Sequence, residues 1–270
     1  MNYMLTHDQQ KIATEWEKYK GYTIRPLASA LSYYSEIIAS HPSKTKFMLY
    51  GGTPELRTLF QRLRYPLTLV DRSPDMVAAM GLLTCAQRAL SSNEHYLKKD
   101  WLQLEELNEE YDLLIGDDAI NMVPWPKFEL FLSQAWKCLR PKGLFICHLL
   151  VKPSNDLIYT EVSEVVKEFR QGSSKSTFDL ASRLNFLSWD ESSFGMGWQK
   201  TIQALGESKL ALFKPELDFI ATFKFCNSQF YCPPLPLFEK LVKKYFFIRD
   251  VFYPQEHDYC SFEPIYVLEK

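Results

Sequence analysis

The sequence lacks the features that mark several large classes of protein. Its 270 residues contain no apolar run near the ~18 residues that a membrane-spanning helix needs. The N-terminus has no basic region followed by an apolar stretch, so we expect no secretory signal, no membrane partner and a cytoplasmic location. The six cysteines form no C-x-x-C pair and most lie in apolar runs, which is typical of reduced core thiols.

A strong excess of charge of either sign is also absent. The formal net charge is −2, and basic residues form no long cluster, so no positive field would concentrate nucleic acid. The five histidines are far apart, and the one crowded spot, His257-Asp258 with Cys260, matches no known ligand spacing. The sequence therefore indicates neither a nucleic-acid partner nor a metal site, and it leaves the oligomeric state open.

Glycine is scarce, but two of the ten glycines stand together at the most informative point of the chain. The apolar run Phe47–Tyr50 breaks at Gly51-Gly52, and a second run, Leu67–Val70, stops at Asp71. This pattern predicts the βαβ unit that opens a doubly wound α/β domain, whose ligands bind beyond the carboxyl ends of the strands. Asp71 follows Gly51 by 20 residues, a spacing that suits a carboxylate bound to the ribose of an adenosine-containing cofactor.

The residues after the glycines disfavour a dinucleotide. A pyrophosphate needs glycine at three positions by a helix N-terminus, but Thr53 and Leu56 occupy the second and third. Thr53 is predicted to cap a helix that begins at Pro54, and Glu55 adds a negative charge to its first turn. That charge would repel a pyrophosphate and tolerate an ammonium and a sulfonium, both carried by S-adenosylmethionine. A nicotinamide-dependent oxidoreductase is therefore the weaker alternative.

Five segments follow one another in an order known from one enzyme family. They are a strand with a glycine turn, a strand closed by an acidic residue, an acidic-apolar pair, a strand ending in acidic residues, and a helix running into a Leu-x-Pro-x-Gly turn. In this chain they are Met48–Thr53, Leu69–Met76, Asp100-Trp101, Tyr111–Asp118 and Cys138–Ile146. The chain thus resembles the class I S-adenosylmethionine-dependent methyltransferases. The resemblance implies a Rossmann-like sheet, mostly parallel with an antiparallel last strand, and S-adenosylmethionine as cofactor.

The resemblance also implies roles for single residues. Asp71 would bind the ribose, Asp100 the adenine amine, and Trp101 would pack on the adenine ring. Asp117 is our choice over Asp118 for the residue that faces the cofactor. The alternative is that either aspartate merely caps the next turn. The predicted cofactor-binding residues are Tyr50, Gly51, Gly52, Thr53, Asp71, Arg72, Met76, Asp100, Trp101 and Asp117. Structural roles are the alternative to cofactor binding. The glycines could serve merely to permit a tight turn, and Tyr50 and Trp101 could be core aromatics.

Methyl transfer requires mainly that a nucleophile is held in line with the methyl group. A base is needed for a poorly acidic hydroxyl, and His148, predicted at the carboxyl end of the fifth strand, is the catalytic candidate. Its alternative is a hydrogen-bonded histidine in an apolar strand. The weak net charge favours a small-molecule acceptor, methylated on oxygen or nitrogen. A non-catalytic S-adenosylmethionine-binding or scaffolding protein of the same fold remains the second hypothesis.

The predicted organisation is an N-terminal helical cap over 1–45 and a methyltransferase-like domain over 46–270. An insertion follows the fifth strand, at about 152–232, and its aromatic segment 171–200 could form a substrate lid or the insertion's own core. Strands are predicted near 47–51, 67–71, 95–99, 112–116, 144–150, 246–253 and 265–269. Helices are predicted near 8–20, 26–40, 54–64, 74–91, 126–139, 156–170 and 236–245.

Overall fold

The computed structural model describes residues 7–17, 25–154, 158, 161–172, 177–218, 220, 228–256 and 258–270. The strands of this part are β1 (Phe47–Tyr50), β2 (Leu67–Asp71), β3 (Glu94–Lys98), β4 (Tyr111–Asp117), β5 (Leu139–His148), β6 (Gly195–Met196), β7 (Phe230–Tyr231), β8 (Phe247–Phe252) and β9 (Ile265–Glu269). Its helices are α1 (His7–Glu17), α2 (Ala28–Ala39), α3 (Pro54–Leu63), α4 (Pro74–Leu82), α5 (Phe128–Cys138), α6 (Val162–Arg170), α7 (Thr177–Phe186), α8 (Trp198–Leu212), α9 (Lys214–Leu217) and α10 (Leu235–Val242).

Seven strands form one sheet in the order β3-β2-β1-β4-β5-β9-β8. The strands β1 to β5 are mutually parallel, and β9 is antiparallel to both of its neighbours. The predicted doubly wound sheet with an antiparallel last strand is confirmed. Because β1 to β5 run in one direction, their carboxyl ends meet at one edge of the sheet.

The sheet is covered on both faces, and β1 illustrates how the sequence specifies this. All four residues of β1 are buried, and their side chains alternate between two cores. Met48 and Tyr50 join the core that includes α5 and α10, whereas Phe47 and Leu49 join the core that includes α2 and α3. A continuous apolar run is the expected pattern for such a strand, because both of its faces are buried.

The helix predicted near 74–91 is too long, because α4 ends at Leu82. Gly81 packs so tightly against the returning chain that a Cβ atom there would lie 2.3 Å from the carbonyl oxygen of Arg88. The following residues therefore turn back toward β3. The prediction erred because the apolar spacing of this segment is compatible with a helix, whereas the turn depends on a tertiary contact.

The insertion lies between β5 and α10, and its described part comprises α6 to α9 and the pair β6-β7. Its helices have a core of their own, which includes Val165, Leu184 and Trp198. Asn121 ties the end of β5 to the insertion, since its Nδ2 donates to the carbonyls of Leu150 and Tyr231 at 2.8 Å each.

Two smaller predictions can be compared with the described residues. No described helix is long and apolar enough to cross a membrane. Five cysteines are free thiols, four buried and one, Cys85, exposed. Cys226 and His257 lie outside the described residues.

Candidate functional site

Three of the predicted cofactor residues converge at the carboxyl edge of the sheet. Gly51 has a φ of +84°, and its N–H donates to the carbonyl of Val70 at 2.9 Å. A Cβ atom at Gly51 would lie 3.7 Å from Cζ2 of Trp101 and 3.9 Å from Oδ2 of Asp71. Glycine is required here by the positive φ, and the lack of a side chain leaves the turn open to a ligand.

Asp71 and Trp101 are held in fixed orientations beside this turn. One carboxylate oxygen of Asp71, Oδ1, accepts from the N–H of Ser73 at 2.7 Å, which leaves Oδ2 on the side of Gly51. Burial raises the pKa of the Asp71 carboxyl, and the Ser73 N–H opposes this rise. The indole N–H of Trp101 donates to the carbonyl of Val70 at 2.7 Å. A carboxylate oxygen and an aromatic ring at one glycine turn suit a nucleoside.

The structure shows which protein groups the other predicted cofactor residues contact. Tyr50 is 1% exposed, and its ring packs against Trp101 and Phe131 in the core. Asp100 accepts from the N–H of Leu102 at 2.9 Å and so stabilises its own turn. A Cβ atom at Gly52 would lie 3.5 Å from Met80, which places this glycine against α4.

Thr53 is the N-cap residue of α3 and Pro54 begins the helix, as predicted, although the side chain of Thr53 makes no capping hydrogen bond. Met76, on α4, is half-buried and packs against the small cluster that joins α4 to α1, whereas Arg72 is exposed next to Asp71.

The sequence suggested that Glu55 presents an unpaired negative charge, but in the structure this charge is paired. The guanidinium of Arg25 forms a close ion pair with Oε1 of Glu55. The side chains of Arg25 and Glu55 are only 11% and 18% exposed. Sequence analysis missed Arg25 because it lies outside the predicted motifs and 30 residues before its partner.

The carboxyl ends of β4 and β5 bring His148 against two aspartates. Nδ1 of His148 donates to Oδ1 of Asp117 at 2.9 Å and lies 3.5 Å from Oδ1 of Asp118. The hydroxyl of Tyr34, on α2, donates to the same Asp117 oxygen at 2.9 Å. His148 is 4% exposed, and its Nε2 has no hydrogen-bond partner. The Asp117 oxygen is thus occupied by two donors, while one ring nitrogen of His148 stays available.

The charges around His148 control its protonation. Burial favours the neutral ring, but the charges of Asp118 and Asp117 outweigh it and raise the pKa of His148 to about 9. Burial raises the pKa of Asp118 to about 6, with His148 opposing, and burial raises the pKa of Glu263 to about 8. At neutral pH the imidazole is therefore protonated. Because these groups interact, their titration belongs to the cluster rather than to one residue.

A small cavity of about 20 Å³ borders this cluster. Its polar walls come from the sheet edge and from α7, including Ser182, whose buried hydroxyl has no hydrogen-bond partner. Its apolar walls come from the N-terminal segment, the end of β5 and the β6-β7 pair. The lining residues are Arg25, Leu27, Asp118, Asn121, His148, Leu150, Ser182, Asn185, Met196, Phe230 and Glu263. The cavity therefore joins three parts of the chain.

The aromatic residues predicted as a lid or as core have mainly structural roles. Trp198 is 0% exposed in the core of the insertion. The indole of Trp189 donates to the carbonyl of Cys232 at 3.1 Å and stacks on Phe194. Met196 and Phe230 line the cavity instead. The polar residues of α7 that lie among apolar neighbours, such as Ser182, were the signal that sequence analysis could have used.

Comparison with known proteins supports the fold. No family model matches the sequence, and no curated protein matches it. A protein from Rhodobacter sphaeroides, named as a candidate Zn-dependent alcohol dehydrogenase, has a TM-score of 0.57, 15% identity and 99% coverage of both chains. The PH0226 protein from Pyrococcus horikoshii OT3 has a TM-score of 0.55 and 14% identity, covering 94% of this chain and 98% of that one.

A methyltransferase is among these structural neighbours. The CurJ carbon methyltransferase has a TM-score of 0.55 and 10% identity, with 97% of this chain aligned to 59% of that chain. At such identities the likeness shows the fold alone. The predicted resemblance to class I methyltransferases is confirmed at this level. Among the described residues, no group of three or more His, Cys, Asp or Glu side chains could hold a metal ion.

Proposed function

We propose that this protein transfers a methyl group from S-adenosylmethionine to an oxygen or nitrogen atom of a small molecule. The observation that carries the proposal is the buried His148, whose Nε2 has no partner and which lines a cavity at the carboxyl edge of the sheet. This is the edge at which doubly wound folds bind their ligands.

The residues around the glycine turn fit the nucleoside part of this cofactor. Oδ2 of Asp71 would accept from the ribose hydroxyls, and Trp101 would offer its ring to the adenine. Gly51 leaves room for both contacts, since any side chain there would enter the space between them. When bound, S-adenosylmethionine supplies an electrophilic methyl group, so the protein needs to position the acceptor and remove its proton.

His148 is the residue placed to receive that proton. Its Nδ1–H is held by Asp117, which orients the ring and leaves Nε2 as the basic nitrogen once the imidazole is neutral. Because the pKa of His148 is about 9, the neutral form increases as the pH rises toward that value. The rate of methyl transfer should therefore increase from neutral pH to about pH 9.

The cavity indicates which acceptors are disfavoured. Asp118 and Glu263 line it, and the cation Arg25 is already paired with Glu55. At neutral pH the protonated Glu263 is uncharged and the protonated His148 balances the charge of Asp118, so a charged acceptor gains no net attraction and an uncharged one is favoured. Most of the remaining wall is apolar, which suits contact with the apolar part of a small molecule.

Transfer of radiolabelled methyl groups to fractionated cell extract tests the proposal. We expect label in the small-molecule fraction, and we expect His148→Gln to keep its cofactor affinity while transfer falls by about 10²–10⁴-fold. His95→Gln, on the exposed surface of β3, is the matched control and should be fully active. If the cofactor binds but no fraction is labelled, the protein is instead a non-catalytic binding member of this fold.

A further inference from the structure

Two buried charged atoms next to the glycine turn have no hydrogen-bond partner. They are Nη1 of Arg25 and Oε2 of Glu55. The two side chains already hold one another through the other nitrogens of Arg25 and Oε1 of Glu55. Nη1 lies 3.5 Å from the carboxylate of Glu17, which is beyond normal hydrogen-bonding distance. The pair thus retains one donor, which has only the long ion pair with Glu17, and one acceptor of opposite charge; neither makes a hydrogen bond, and both are shielded from water.

The position of this pair matches one part of the proposed cofactor. Glu55 lies in the first turn of α3, four residues after Gly51, and Arg25 lines the same cavity as His148. The sulfur of S-adenosylmethionine carries adenosine, the methyl group and a chain that ends in an ammonium and a carboxylate. If adenosine binds at Gly51 and the methyl group faces the cavity, the third substituent would lie beside Arg25 and Glu55.

We propose that Arg25 and Glu55 bind the amino-acid end of the cofactor. Nη1 of Arg25 donates to the carboxylate, and Oε2 of Glu55 accepts from the ammonium. This inference rests on the proposed function and assigns two binding residues to it. A zwitterionic ligand end satisfies both buried atoms and adds no net charge, and hydrogen bonds between charged groups are the strong ones.

The ion pair also explains how the chain accommodates an acidic residue in the first turn of α3, directly after a glycine turn that lacks the usual second and third glycines. Arg25 neutralises Glu55, so the carboxylate at the start of α3 does not repel the carboxylate of the ligand. The guanidinium then remains close to both negative groups.

Calorimetric titration with two nucleosides tests this assignment. S-adenosylhomocysteine carries the amino-acid end, whereas 5′-methylthioadenosine is the same thioether without it. In Arg25→Gln, we expect the affinity for S-adenosylhomocysteine to fall roughly 10- to 150-fold, while that for methylthioadenosine stays within about twofold of wild type. An equal loss for both ligands, or no loss for either, would overturn the assignment.

Two further variants control for folding and charge. Arg62→Gln removes the same charge from an exposed position of α3 and should leave both affinities unchanged. The double variant Arg25→Gln with Glu55→Gln leaves no buried charge unpaired, so it should fold and show the same selective loss. If the double variant folds and binds S-adenosylhomocysteine like wild type, the assignment is wrong. If wild-type protein binds neither nucleoside, the proposed function itself fails, and this inference fails with it.

Discussion

Asp71 provides the most direct test of the nucleoside site. Asp71→Ala removes the acceptor on the side of Gly51, so we expect the affinity for S-adenosylhomocysteine to fall by about 1.5–3 kcal/mol. The carboxylate caps the N–H of Ser73 as well, and its loss should lower the free energy of unfolding by about 0.5–1.5 kcal/mol. Calorimetric titration and thermal denaturation measure the two effects. Unchanged affinity would mean that the spacing from Gly51 to Asp71 has no functional meaning.

Tyr34 connects α2 to the protonation of His148. Burial, followed by the charge of Asp117, raises the pKa of Tyr34 well above its usual value, so its hydroxyl stays a donor. In Tyr34→Phe, the carboxylate of Asp117 loses this donor and interacts more strongly with His148. We expect the pKa of His148 to rise by about one further pH unit, because a hydrogen bond to a charged group contributes that order of free energy.

A nuclear magnetic resonance titration of the His148 ring measures this pKa without any assay of activity. Tyr33→Phe is the matched control, because the hydroxyl of Tyr33 donates to Asp250, at 2.6 Å, and not to Asp117. The direction of the His148 pKa shift also determines how protein stability depends on pH. A raised His148 pKa stabilises the protein fully below about pH 6.5, and this contribution disappears as the pH rises through about 9. A fall in the His148 pKa in Tyr34→Phe would contradict this account.

The helices of the insertion behave as a packed layer rather than as an aromatic flap. Trp198→Ala should lower the free energy of unfolding by about 3–5 kcal/mol, because Trp198 is fully buried in the core that α6, α7 and α8 share. Trp189→Ala should cost less, since its indole is half-buried and loses one hydrogen bond. Denaturant titration compares the two. Equal stability of the two variants would show that the core of the insertion contributes little.

The joining of three chain segments around one cavity should make the whole molecule respond to the cofactor. At about 100 times its dissociation constant, S-adenosylhomocysteine should stabilise the native state by about 2.7 kcal/mol. For a chain of this size that corresponds to a rise in Tm of roughly 5–10 °C. NAD should cause no such rise, because the turn after β1 lacks the glycines that receive a pyrophosphate. A rise with NAD but none with S-adenosylhomocysteine would favour the oxidoreductase alternative.

The sequence alone determined the sheet and the edge at which the candidate site lies. The apolar run Phe47–Tyr50, the glycine turn and Asp71 are local patterns, and local patterns directly reflect strand burial and backbone geometry. The position of His148 followed from the same pattern, since it ends an apolar strand. These features depend on residues close together in the chain, and their prediction therefore required no knowledge of packing.

Only the tertiary structure decided which polar groups meet at that edge. Tyr34 and Asp117 are 83 residues apart, and Arg25 and Glu55 are 30 apart, so no spacing rule joins them. The length of α4 was likewise set by the close approach of the chain to Gly81. Such contacts depend on how helices dock on the sheet. Docking places buried charges beside one another, and these charges set the pKa of His148. The residue type by itself does not determine that pKa.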